Sequence, residues 1–90
     1  MKIKHKGLCL LYEQGDKSKL SGNLVQRIED RLAYLDKANE PENMNLPGYH
    51  LHKLTGARSG QWSIRVSSNW CIVFRFEDGE AVDVDLVDYH

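Results

Sequence analysis

Ninety residues, 41% of them apolar and 28% charged, describe one ordinary globular domain, too short for two and long enough to bury a core without staples. A net charge of −1 and a pI near 6.4 exclude a nucleic-acid binder that works through a whole-surface positive field. No apolar run approaches the ~20 residues of a membrane span, and Cys9 and Cys71 read as free thiols in a reducing cytosol, so a cytoplasmic protein is expected.

Residues 4–14 carry Leu8, Leu10, Leu11 and Tyr12 and predict a short helix that stops at Gly15-Asp16. Residues 15–23 are polar and read as a loop. Ser21 or Asn23 can cap a stronger helix running to about Ala38, in which Leu24, Ile28, Leu32 and Leu35 form one apolar stripe. A connector with Pro41 and Pro47 has room for one helical turn. Strands follow: 49–54 at an edge, 61–66 alternating around Trp62, Ile64 and Val66, and 70–76 alternating around Trp70, Ile72, Phe74 and Phe76. The last run puts Val82, Val84 and Leu86 on one face and Asp83 and Asp85 on the other.

That alternation bears on the turn at Glu77-Asp78-Gly79. A two-residue loop would pair Phe74 with Asp83 and put acids among the aromatics. A three-residue loop with Gly79 left-handed pairs Phe74 with Val82 and Ile72 with Val84, and is the expected form. Cys71, Val73, Arg75, Asp83 and Asp85 then line the outward face. The helical stripe should pack on Trp70, Ile72, Phe74 and Val84.

Charge is uneven along the chain. Residues 50–75 hold Lys53, Arg58, Arg65 and Arg75 with no acid, whereas residues 77–88 hold six acids and no base. A local basic patch is therefore compatible with the overall balance. His50 and His52 would share a strand face, a weak basis for a metal site, and no metal or cofactor is expected. From spacing alone His52 is an exposed edge histidine and Asp88-Tyr89-His90 a polar terminus.

More specific are Leu51-His52-Lys53-Leu54-Thr55-Gly56, Gly60-Gln61-Trp62-Ser63-Ile64-Arg65-Val66, Asn69-Trp70 and the terminal Asp88-Tyr89-His90. At these positions, and over nearly all of its length, the chain resembles the HigB toxins (host inhibition of growth) of the RelE superfamily. The resemblance implies an α+β fold, with two N-terminal helices on one face of a small twisted antiparallel sheet, and residues 1–90 as a single toxin domain. It also implies a metal-independent, ribosome-dependent mRNA endonuclease, neutralised by a HigA-type helix-turn-helix antitoxin that represses the shared operon. Matched position by position, His52, Asp88, Tyr89 and His90 correspond to active-site residues. Two positions depart: Thr55 stands where Lys is frequent, and Cys71 where Asn-Trp is usually followed by Arg.

Cleavage by a neighbouring 2′-hydroxyl needs a base, an acid for the 5′-oxygen, and positive charge on the phosphate. Histidines suit the first two roles because their pKa lies near working pH, which nominates His52 and His90. Tyr89 would stack or assist proton transfer, and Asp88 would fix a tautomer or the tail. Lys53, Arg58, Arg65 and Arg75 are the candidate phosphate contacts. A thiol at 71 cannot form the bidentate fork of an arginine, so an attenuated nuclease is expected. A second reading keeps the fold and the antitoxin but not catalysis, leaving operon control as the function.

Overall fold

The computed structural model describes residues 1–88. Helix α1 (Lys6–Gln14) opens with an unforeseen cap: the Nδ1 of His5 accepts from the Leu8 N–H at 3.2 Å. It ends at Gly15, whose φ of 69° lets the Gly15 and Asp16 N–H groups turn back to the Leu11 and Leu10 carbonyls. Helix α2 (Val25–Lys37) carries the predicted stripe but not the predicted cap. Ser21 and Asn23 hydrogen-bond to each other, and a turn closed by Leu24 N–H on the Ser21 carbonyl feeds the helix instead. The expected turn in the connector is a 3₁₀ helix, Pro41–Met44, which buries Met44 completely.

Four strands follow, β1 (His52–Lys53), β2 (Trp62–Arg65), β3 (Trp70–Glu77) and β4 (Glu80–Asp88), each antiparallel to the one before it. The edge strand expected over 49–54 shrinks to two residues. His50 adopts φ 49°, a left-handed kink that breaks the extended run, so it shares no regular strand face with His52. Just before the kink, Tyr49 is buried under the guanidinium of Arg31, which sits 4.3 Å from the ring centre. Arg31 also donates to the Arg65 carbonyl at 2.7 Å, and Arg27 to the Val66 carbonyl at 3.3 Å, so α2 is tied to the end of β2.

The β3–β4 hairpin corrects the expected register. Asp78 and Gly79 both have positive φ (52° and 76°) and form a two-residue loop with Glu77 opposite Glu80. The acids stay out of the core because the ladder is irregular. Arg75 opposes Val82 and Val73 opposes Asp85, so Phe74 faces an extra residue between them, and Asp83 takes φ 53°. This bulge flips the parity of β4. Val84 and Leu86 join Ile72 and Phe74 on the core side, while Val82 goes to the outward face with Arg75. The side chain of Asp83 is held by Arg75 Nε at 2.7 Å.

The core lies between α2 and one sheet face, as the matching periodicities predict. Ile28, Ile64, Ile72, Phe74 and Val84 have no exposed surface, and Leu32 and Leu35 almost none. Leu24, Trp62 and Trp70 pack half-buried at its rim. Residues 2–4 run parallel to β4, with Lys4 N–H donating to the Val84 carbonyl at 2.7 Å and Lys2 N–H to the Ala81 carbonyl at 2.9 Å.

Candidate active site

The other sheet face is the one the helices leave uncovered. Register puts His52 beside Ser63, Ser63 beside Val73 and Val73 beside Asp85, making one row across four strands. The next row is Arg65, Cys71 and Val87. Because side chains alternate between faces along a strand, both rows look away from the helices. His52 is exposed on this face.

A pocket of about 170 Å³ opens over the second row. Its floor is Ser63, Cys71, Val73 and Val87, and its walls are Leu54 and Arg58, with Asp88 at the end of β4 completing it. The cover comes from the β1–β2 connection, where a 3₁₀ turn (Gly56–Arg58) folds back over the sheet. Arg58 is steadied by donating to Oε1 of Gln61 at 3.1 Å.

Position 71 therefore differs from expectation in one respect. It faces away from the helices, as predicted, yet Cys71 is only 5% exposed, because Leu54 and Arg58 cover it. Burial pushes its thiol pKa up, and the nearby Arg58 charge opposes that only in part. The sulfur stays a protonated thiol at neutral pH, a poor nucleophile.

The other candidate cations are dispersed. Lys53 pairs with Trp62, and its ammonium lies 5.8 Å from that ring, so it belongs to the opposite face from the pocket. Arg65 is exposed on the pocket's face, across from Cys71. Arg75 sits toward the hairpin end, where Asp83 at 2.7 Å and Glu77 at 3.2 Å occupy its guanidinium. Tyr89 and His90 lie outside the described residues. Sequence reading put Val73 on this face but passed over Leu54, Ser63 and Val87 as part of the site; the signal for Ser63 was its small polar side chain between Trp62 and Ile64. Among the described residues no group of three or more His, Cys, Asp or Glu side chains could hold a metal ion.

The model of the HigB-like toxins, described as RelE-like toxins of the type II toxin-antitoxin system HigB, matches residues 1–90. The chain belongs to the HigB-like toxin family. It is 47% identical to the Endoribonuclease HigB of Proteus vulgaris, with 98% of this chain and 96% of that protein aligned. An uncharacterized protein of Haemophilus influenzae is 32% identical over 88% of this chain and 80% of its own. In fold, a mutant of YafQ from E. coli superposes with a TM-score of 0.65 over 98% of this chain and 90% of that one, at 14% identity. A HigB-like toxin works in a two-component module, so an antitoxin is its partner. The expected RelE-like α+β architecture is borne out. No helix among the described residues is long and apolar enough to cross a membrane.

Proposed function

We propose that this HigB-like toxin is an endoribonuclease that cuts mRNA on the ribosome in the cytoplasm, held in check by a HigA-type helix-turn-helix antitoxin. The observation that carries the reading is the 47% identity to an endoribonuclease, spread over 98% of the chain. The catalytically silent alternative has no comparable support. The reaction is a transesterification. The 2′-oxygen attacks the adjacent phosphorus, the bond to the 5′-oxygen breaks, and a 2′,3′-cyclic phosphate and a free 5′-hydroxyl result. One histidine of the pair His52 and His90 takes the 2′-hydroxyl proton, and the other delivers a proton to the departing 5′-oxygen.

The exposed position of His52 on the open sheet face supports this role, since RNA must reach it from solvent. Asp88, which ends β4 beside the pocket's Val87, is assigned the role of tail anchor, and Tyr89, the next residue in sequence, that of stacking group. Arg65, exposed on the same face, steadies the RNA backbone beside the cut. Lys53 is on the far side and Arg75 is held by two carboxylates, so neither is assigned to the scissile phosphate. The reading calls for no cofactor. The test is induction without antitoxin, with growth followed and transcript ends mapped. The unaltered chain should arrest growth and leave new in-frame cleavage ends. His52→Ala should lose cleavage by ~10²–10⁴-fold, the usual worth of a general acid or base, and retain its fold. Unimpaired growth and intact transcripts with the unaltered chain would refute it.

A further inference from the structure

The proposed cleavage needs positive charge on the phosphate, and in this chain β3 does not supply it. Cys71 occupies the strand position that faces the pocket, and a thiol offers no charge. The structure nonetheless brings one cation to the same place by another route. The turn Gly56–Arg58 folds the β1–β2 connection over the sheet, so Arg58 and Cys71 line one pocket although they are distant in sequence. Among the described residues that line it, Arg58 is the only cation.

We infer that Arg58 is the phosphate-binding catalytic residue of this toxin, its guanidinium reaching from the β1–β2 turn into the space that the small Cys71 side chain leaves open. This assignment rests on the cleavage reading above and deepens it.

Three observations support it. Arg58 needs only one of its donors to hold the turn, through NH1 to Gln61, which leaves the rest of the fork for phosphate oxygens. The space over Cys71, about 170 Å³, floored by Ser63, Cys71, Val73 and Val87 with Asp88 at its end, gives a guanidinium and a phosphate oxygen room to meet. Arg58 is itself exposed, so RNA can reach its guanidinium from solvent, and a cation held in place beforehand acts on developing charge without reorganising. The Arg58 charge already works against the burial that raises the thiol pKa of Cys71, so its field does reach this floor. The rival cations lack this placement: Arg65 lies outside the lining and Arg75 is paired with two acids.

Single-turnover cleavage of ribosome-bound mRNA and binding of a short RNA carrying a 2′-deoxy sugar at the cut site test the assignment together. Arg58→Ala should slow cleavage by ~10²–10³-fold, the cost of one lost oxyanion partner. It should also lower the slope of log affinity against log salt by ~0.7, one phosphate contact on a single strand. Cys71→Arg placed in the Arg58→Ala background should recover at least tenfold, because it returns a guanidinium to the same pocket. Gln61→Ala, which frees the turn but keeps the charge, should stay within a few-fold of the parent. Arg58→Ala that cleaves and binds like the parent would overturn the assignment. So would Gln61→Ala that loses as much as Arg58→Ala, since bracing the turn would then be the whole role. If even the parent cut no RNA, the cleavage reading would fall, and the salt slope of the non-cleavable RNA would still decide whether Arg58 grips phosphate.

Discussion

Leu32 and Leu35 lie one turn apart on the buried stripe of α2, yet truncating them should not cost the same. Leu32 is 3% exposed and Leu35 1%, so cutting either to alanine forfeits ~2–2.5 kcal/mol of transfer free energy at ~0.8 kcal/mol per carbon. The void left behind is what differs. Leu32 helps floor a groove of about 240 Å³ between α1 and α2, beside Leu11, Tyr12, Glu29 and Asp36. Space vacated there opens toward solvent, and the exposed ring of Tyr12, bonded to Asp36 at 2.7 Å, can settle into it. Leu35 is not part of that lining and sits deeper in the same core. A closed void keeps its penalty, which at ~24 cal/mol per Å³ adds ~2 kcal/mol for a lost side chain of this size. We therefore expect Leu32→Ala to cost ~2–3 kcal/mol and Leu35→Ala ~4–5 kcal/mol. Urea unfolding followed by circular dichroism, with m-values compared across variants, measures both. Equal losses, or a larger one for Leu32→Ala, would refute the argument that the groove relieves the void.

Other consequences are as direct. Gly79→Val should cost at least ~1–2 kcal/mol, because the hairpin holds this position at φ 76°, whereas Asp78→Gly at φ 52° should be tolerated; thermal melts distinguish them. Arg75 holds the Asp83 carboxyl below the usual carboxylate range, so the pair's stabilisation is present above that range and lost as pH falls through the lowered value. Arg75→Ala should accordingly lower the urea midpoint at neutral pH and lose less than the parent on acidification. In the parent background, Cys71→Arg should raise cleavage less than tenfold, since Arg58 already supplies the charge. Forcing a longer side chain beneath Leu54 should destabilise by ~1–3 kcal/mol, read by the same unfolding assay.

The helix stripe and the core strands were legible because each follows a simple period. Leu24, Ile28, Leu32 and Leu35 match the helical repeat, and Trp70, Ile72 and Phe74 the strand repeat. Alternation failed where a residue is not counted by the ladder. Reading β4 as regular required a three-residue turn to keep Asp83 out of the core. The chain instead uses a tight Asp78-Gly79 turn and discards the parity error in a bulge at Asp83. His50 was lost to the edge strand through a backbone kink that its side chain does not announce. At the candidate site, periodicity put position 71 on the outward face but could not show that face covered. Covering depends on how Leu54 and Arg58 fold over the sheet, a tertiary event between segments that no local pattern links.

The parallel seam between residues 2–4 and β4 joins opposite ends of the described chain. β4 supplies Ala81 and Val84 to the core, and Val87 and Asp88 to the pocket. A nascent chain whose β4 is still inside the exit tunnel therefore has an unsealed core and half a pocket, however well its helices form. Closing a loop of that span is also the entropically dearest contact of the fold and should come late. Cutting competence thus waits on the last of the described strands: a chain that lacks β4 has neither a closed core nor a whole pocket.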